Sequence, residues 1–431
     1  MPNPLLMFIV VLLLLPVAVM AANDRPLLFG QNPTPMSWWN LDPERWEPIL
    51  YRKMRSSGST VVRQGVGWDR VEKMRGQYDW SGADEVINRA IDHNQEVVLL
   101  FGGTPQWALP DDLDPKVTHP NARYPAKEEF AEDFSRFVTA LVTHFKGRVR
   151  YYEFWNEANG FGWYSSMTDP PRYNLAEEYT PWMIRAYKAL KAVDPTAMMS
   201  TTGIDDNGPG HAKNYLTKIY ENGGKGYFDA VADHPYSAAE LDVFKLDEIR
   251  EVLDANGDHQ VKVWITEFGY PMKTEDYEAY QRYMKFYFDT LTSDKYSYVT
   301  ISTWHTANEF PWEEGYGLRN WNLTPKPPLQ TFIDYPKPAR PKVSDVRVVK
   351  VGPSSAVVEF RTDIPARSLV MYGPSKNYGQ VTQRTRDHST SHAATLSGLE
   401  PGTAYHFRIR TGAVEDGDAF SVDFQLQTPM K

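Results

Sequence analysis

No cysteine occurs among the 431 residues. Disulfides, thiolate metal sites, a cysteine nucleophile and a Cys-linked lipid anchor are excluded together. The ten histidines contain no His-Glu-x-x-His run and no paired metal-ligand spacing. Phosphate-cradling glycine motifs after a strand are missing as well, so no metal and no cofactor is expected. Basic residues are not in excess: 46 Lys and Arg stand against 55 Asp and Glu, a net charge of −9 that argues against nucleic acid as the partner. Tryptophan is absent beyond Trp321, although the chain holds 13. From Pro336 onward the charge balance reverses, with 13 Lys and Arg against 9 Asp and Glu. Two regions of different character are therefore joined end to end.

Residues 1–23 carry no charged side chain, and Leu5 to Val19 is one apolar run. It falls short of the roughly 20 residues that cross a bilayer core of about 30 Å. It fits a secretory h-region followed by small residues, Ala21 and Ala22, although the preceding Met-Pro-Asn-Pro lacks Lys and Arg. Residues 1–22 thus predict an exported, periplasmic protein with either a signal peptide or a retained inner-membrane anchor over 5–22.

Beyond Asp24 eight short apolar runs alternate with helical stretches: 27–31, 59–64, 96–101, 149–155, 197–202, 228–234, 261–266 and 299–304. Between them 127–145 places Phe130, Phe134, Phe137, Val138 and Leu141 at helical spacing, and 177–193 ends before an Asp-Pro stop. Eight strand–helix units over residues 24–335 predict an α/β fold, a (β/α)8 TIM barrel, whose active sites sit at the C-terminal strand ends. A Pro- and Lys-rich linker follows. Residues 336–431 then read as a small all-β sandwich, with strands at 343–351, 355–362, 368–373, 404–411 and 421–428. Leu396 to Thr411 resembles the tyrosine corner of fibronectin type III domains, with Tyr405 closing it. The sandwich could be a spacer, a docking surface or a brace. Glu415-Asp-Gly-Asp418 reads as a hairpin turn rather than a calcium loop.

Two strand ends carry carboxylates that chemistry can use. Tyr151-Tyr-Glu-Phe-Trp-Asn-Glu157 ends the fourth strand and Val263-Trp-Ile-Thr-Glu267 the seventh. Strand alternation puts Glu153, Trp155 and Glu157 on one face, and Val263, Ile265 and Glu267 on one face. A carboxyl at each end would face its partner across the barrel mouth, as splitting a glycosidic bond requires. Asn-Glu recurs at Asn308-Glu309, so the dipeptide alone decides nothing. The pairing of strands four and seven does.

The segments Phe29-Gly-Gln-Asn32, Val61–Asp84, Thr104–Ala108, Glu153–Asn159, His234–Ser237, Trp264–Tyr270 and Gly317–Phe332 resemble clan A glycoside hydrolases, and within the clan family 39. The apolar N-terminus and appended sandwich resemble the layout of a glycosidase of a biofilm exopolysaccharide system. One departure is Ala158, where such enzymes often have proline after the acid/base residue. The resemblance implies a retaining, endo-acting hydrolase of a polysaccharide, with Glu157 as acid/base and Glu267 as nucleophile. An exo-acting β-xylosidase, a transglycosylase or a non-catalytic carbohydrate-binding barrel are the rival readings. Arg63 matches the arginine that orients the nucleophile, with pairing to Glu153 as the plainer alternative. Asn156 matches the residue that bonds the sugar 2-hydroxyl, and His234 and Tyr236 match residues beside the nucleophile. Trp304 matches the clan's sugar platform. Trp68, Trp107, Trp163 and Trp312 are further stacking candidates or rim packing. Glu157 must hold a proton, which burial would favour, whereas Glu267 must be ionised beside a cation or hydrogen-bond donors. The implied partner is an oligosaccharide or polysaccharide, bound by a monomer.

Overall fold

The computed structural model describes residues 27–430 apart from 37–39, 112–123, 161–162, 164–174, 207–210, 237–244, 272–275, 312–314, 336–340, 386–387 and 413–417. The apolar segment 1–22, Trp312, most of the linker and most of the 415–418 turn lie outside the described residues.

Eight parallel strands close a barrel in sequence order: β1 Leu28–Asn32, β2 Val61–Gly67, β3 Glu96–Gly102, β4 Tyr151–Phe154, β5 Met198–Asp205, β6 Ala230–His234, β7 Lys262–Phe268 and β8 Val299–His305. Each coincides with one of the eight apolar runs, shifted by one or a few residues. Side chains from alternate positions fill the lower barrel, where Leu28, Val61, Val98, Tyr151, Ala230, Trp264 and Ile301 form one cluster. Opposite positions meet the outer helices. On α1 (Ala131–Phe145), Phe134, Phe137, Val138, Leu141, Val142 and Phe145 are buried, the three-to-four spacing of an amphipathic helix. A short 3-10 turn, Glu128–Phe130, takes the first residues of the predicted helix. The helix predicted over 177–193 is α2 (Ala176–Val193), and it stops at Asp194 before Pro195. Among the described residues no helix is long and apolar enough to cross a membrane.

The C-terminal region is an antiparallel β-sandwich of β9 (Val343–Val351), β10 (Ser355–Gly373), β11 (Gln380–Val381), β12 (Ser389–Ser397), β13 (Ala404–Gly412), β14 (Asp418–Phe420) and β15 (Phe424–Gln427). The strands predicted at 355–362 and 368–373 are one strand here. β10 pairs with β9 and β12 in its first half and with β11 and β13 in its second. Its register shifts between Arg361 and Ala366. Pro365 lies in that shift, where a missing N–H costs no ladder bond, so the chain turns from one sheet to the other without breaking. Tyr405 closes the predicted corner: the backbone N–H of Glu400 donates to its hydroxyl at 2.9 Å.

The sandwich docks on the N-terminal end of the barrel, opposite the mouth. Arg410 meets Glu96, the first residue of β3, at 3.2 Å, with both side chains almost fully buried. Arg408 pairs with Asp92 at 2.6 Å, and the N–H of Phe420 donates to Asn94 at 2.6 Å. Gly147, between α1 and β4, has φ +81°, and a Cβ there would sit 2.2 Å from Val381. That glycine lets the turn and the sandwich touch. Arg410→Ala should cost about 3–5 kcal/mol in thermal or denaturant unfolding, because the carboxylate of Glu96 stays buried without this cation. The KM for a soluble oligosaccharide should not move, since the mouth lies at the far end. An unchanged melting temperature would show that the sandwich does not brace the barrel.

Candidate active site

Arg63 is the hub of the barrel mouth. β2 projects it inward above Val61, and its side chain is only 8 % exposed. Nε and Nη2 donate to the two oxygens of Glu153 at 2.7 and 2.9 Å. Nη1 donates to Glu267 Oε1 at 2.5 Å, and Nη2 also to Asn156 Oδ1 at 2.7 Å. Arg63 thus meets both Glu267 and Glu153, the two partners considered for it in the sequence. One guanidinium ties β2, β4 and β7 together, which a planar fork of five donors can do and an ammonium cannot.

β4 stops at Phe154, and the expected alternation stops with it. Trp155 and Glu157 have φ values of +70° and +49°, a conformation rare for residues with a Cβ and concentrated at functional sites. The two kinks turn Asn156 into the mouth beside Trp155 instead of away from it. The Trp155 indole packs on Gly102, where a Cβ would meet it at 2.8 Å. Glu157 reaches His234 of β6, whose Nδ1 lies 3.0 Å from Oε1. The burial expected for Glu157 is not there: its side chain is 31 % exposed.

On β7 the expected face was also wrong. Val263 and Ile265 pack outward with the helix layer, while Trp264 lies in the barrel interior. Thr266 points inward too, its hydroxyl donating to Glu153 at 3.1 Å. A register irregularity between Ile265 and Phe268 then brings Glu267 into the mouth. A bulge re-aims a side chain in this way without altering the sequence pattern. Tyr236 donates its hydroxyl to Glu267 Oε2 at 3.0 Å. Burial alone would raise the Glu267 carboxyl, but the charges of His234 and Arg63, with His305 and the Tyr236 hydroxyl, outweigh it and hold it well below the usual carboxylate range. Burial opposes charge on His234, yet Glu267 and the bond to Glu157 raise it above the ordinary histidine value. Burial pushes the Tyr236 phenol far up, so it remains a donor.

The expected platform, Trp304, lies one residue out of phase with the mouth. It is 2 % exposed, its Nε1 donates to the Tyr280 hydroxyl, and Phe268 and Phe288 pack around it. Ile301 faces the barrel interior, so alternation along β8 places His305, not Trp304, inside. His305 Nδ1 lies 3.7 Å from Glu267 Oε2, and burial pushes its pKa down to about 4. Beside it on β1, Asn32 donates Nδ2 to the carbonyl of Thr266 at 2.8 Å, and its Oδ1 has no hydrogen-bond partner among the described residues. Neither Asn32 nor His305 was singled out in the sequence, although counting in twos from Leu28 and Ile301 reaches both.

Trp68 is also core: it is 1 % exposed, wedged among Trp107, Phe134 and Phe137. Trp107 donates to the Glu72 carbonyl and does not line the cavity beside Glu267, and Trp163 is buried. Glu309, the rival glutamate, pairs with Lys326 and accepts from the Gly315 N–H at 3.0 Å, fastening the chain after β8. The cavity beside Glu267 has a volume of about 580 Å³ and is walled by the ends of β1, β2, β3 and β8 with Trp155 and Asn156. Glu157, His234 and Glu267 each offer a ligand atom within 4.8 Å of the others. They form a metal-sized cluster among the described residues, but Arg63 already supplies positive charge to Glu267.

Because Glu267 titrates lower in the fold than in the unfolded chain, its ionised form adds stability above the unfolded value of about 4.3. That contribution fades as pH falls through the depressed folded value. Wild type should therefore lose stability relative to Glu267→Gln as pH drops from about 5 to below about 3 in thermal melts; a flat difference would contradict the assignment. Trp304→Phe should lower the melting temperature with little change in KM, whereas His305→Ala should raise KM about tenfold, the loss of one polar contact to substrate. The opposite pattern would return the platform to Trp304.

The family model described as glycosyl hydrolase family 10 matches residues 53–335, and that of the purple acid phosphatase N-terminal domain matches residues 343–428. Endo-1,4-beta-xylanase C of Paenibacillus barcinonensis is 21 % identical over 196 residues, which is 42 % of this chain but 17 % of the relative. The chain thus spans a small part of that relative's length. A family 39 glycoside hydrolase from Bacteroides cellulosilyticus superposes with a TM-score of 0.58 at 18 % identity, covering 95 % of this chain and 80 % of that one. A family 10 enzyme of Paenibacillus barcinonensis gives 0.51 at 16 % identity over 73 % and 96 %. Xylanase 10B of Thermotoga petrophila, in complex with xylobiose, gives 0.50 at 18 % over 73 % and 94 %. At these identities the structures share the fold, and the family 39 likeness is one of fold. The protein is a glycoside hydrolase of the clan A fold, and the chain belongs to glycosyl hydrolase family 10.

Proposed function

We propose that this glycoside hydrolase cleaves within a polysaccharide with retention of configuration, Glu267 acting as nucleophile and Glu157 as acid/base. The observation that carries the reading is the spacing. Oxygens of the two carboxyls come within 4.8 Å. Retaining enzymes hold the pair about 5–5.5 Å apart, whereas inversion needs roughly 6.5–9.5 Å to admit a water between them. The environments divide the labour. Glu267 is kept ionised by Arg63, His234 and Tyr236, as attack on the anomeric carbon requires. Glu157, partly exposed and beside one imidazole, can meet both leaving group and water.

In the first step Glu267 forms a bond to the anomeric carbon while the C1–O bond breaks toward oxygen, which takes the proton of Glu157. In the second, water gives a proton to Glu157 and its oxygen to the anomeric carbon, releasing Glu267. Asn156, held by Arg63, lies where it can bond the 2-hydroxyl of the glycone. The cavity is within the size range of pockets that enclose small-molecule ligands, about 300–1,000 Å³, and cleavage within the polysaccharide is the reading proposed. The endo-acting xylanase among the relatives supports that reading. The apolar N-terminus and appended sandwich support an exported, periplasmic enzyme acting on a bacterial exopolysaccharide.

Proton NMR of the first product formed should show the substrate's own anomer, followed by mutarotation. The inverted anomer would overturn the mechanism. Size analysis of digests of an exopolysaccharide and of β-1,4-xylan should show medium-length fragments early; single sugars from the start would establish exo action instead.

A further inference from the structure

Behind the two carboxyls a buried chain of hydrogen bonds runs from Arg63 to Glu157. Glu153, Thr266 and His234 are fully buried. Glu153 is gripped by Nε and Nη2 of Arg63, and a carboxylate so held only accepts. The Thr266 hydroxyl has one proton, and Glu153 Oε1 at 3.1 Å takes it. What Thr266 turns toward His234 Nε2, also at 3.1 Å, is therefore a lone pair. Nε2 must carry hydrogen. The other ring nitrogen, Nδ1, then faces Glu157 Oε1 at 3.0 Å with no hydrogen of its own unless the ring is charged. β5 leaves room for this arrangement through Gly203, where a Cβ would lie 2.2 Å from His234 Nε2 and 2.7 Å from Glu153 Oε1.

We infer that Thr266 and Glu153 are positioning residues that fix the tautomer of His234, so that His234 and Glu157 together hold one shared proton for the leaving group. The inference rests on the acid/base role proposed for Glu157. With Nε2–H enforced, a neutral His234 can bond Glu157 only if the carboxyl is protonated, and a charged His234 can bond it only as a carboxylate. Either state keeps one proton between Nδ1 and Oε1. The opposite tautomer would donate Nδ1–H to a bare carboxylate and leave nothing for the departing oxygen. The proton that the pair surrenders in the first step returns from water in the second, so the chain behind it needs no net change. Other charged or titratable groups face His234 as well: Glu267 from β7, Arg63 from β2, Tyr236 from β6 and His305 from β8. They set where the pair titrates, not which nitrogen carries the hydrogen.

Thr266→Val removes the lone pair and frees the other tautomer; Thr266→Ser restores it. With a series of aryl glycosides, kcat/KM of Thr266→Val should fall more steeply than wild type as the leaving group worsens. The loss should be at least tenfold greater at the poor-leaving end than at the dinitrophenyl end, because only poor leaving groups need the proton. The alkaline limb of the pH profile should move to lower pH, and Thr266→Ser should return both features to within about threefold of wild type. General damage to the fold would lower all substrates alike, and that result would overturn the inference. Glu157→Ala run beside it separates the two assignments. If Glu157→Ala shows no dependence on leaving group, the acid/base role fails. If it does and Thr266→Val does not, only the tautomer relay fails. Should Thr266→Val not fold, 15N NMR of histidine-labelled wild type decides. The His234 signal, identified by its loss in His234→Asn, should show Nε2 protonated on both sides of its titration, and a neutral Nδ1–H form would overturn the proposal.

Discussion

A single buried cation organises the mouth of this barrel. Arg63 makes four hydrogen bonds to three side chains from two other strands, at 8 % exposure. A guanidinium so far from water is tolerable only because carboxylates surround it, and Glu153 pays that debt in full with two parallel bonds. The pairing fixes Glu153 as an acceptor, and Glu153 orients Thr266, which in turn meets His234. The free arm of Arg63 reaches Glu267, and the shared arm holds Asn156. Arg63 places Asn156 and, together with His234, holds the titration of Glu267 down.

Around that hub the barrel separates its tasks by height. Apolar side chains close the lower interior, the ion-pair layer lies above them, and the groups able to meet a sugar lie at the strand ends. The sandwich attaches below, through Arg410 and Glu96 and through the Gly147 turn. Its contacts therefore act on the stability of β3 and of the turn before β4, not on the groups beside Glu267. Such an attachment leaves the mouth open to a long substrate. The docking surface combines Arg408 and Arg410 with Met371, Tyr378 and Phe420, and the two guanidinium groups lie over the Tyr378 and Phe420 rings.

The architecture was legible because eight apolar runs, each bounded by turns and helical spacing, leave few other folds. Arg63, Glu153 and the strand ends carrying Glu157 and Glu267 could be read from residue type and position. Facing was harder. Trp304 came from the resemblance to the clan's sugar platform, yet counting in twos from Ile301 points it outward and turns His305 inward. On β7 the same count puts Thr266 inside, and only a bulge set by the neighbouring strand brings Glu267 there as well. The left-handed turns at Trp155 and Glu157 are likewise imposed by packing, here of an indole on Gly102, and no local motif announces them. The strands read at 355–362 and 368–373 are one long strand that bends at Pro365.

The central claim is that Glu267, ionised by Arg63 and its neighbours, attacks the anomeric carbon. A 2-deoxy-2-fluoro glycoside with a dinitrophenyl leaving group tests it directly, because fluorine slows the second step and traps any covalent intermediate. Incubation of the full chain with such a glycoside of a sugar that it hydrolyses, followed by peptide mapping, should place one fluoroglycosyl group on Glu267. A label on Glu157 or Glu309, or steady turnover with no label on any residue, would contradict the account.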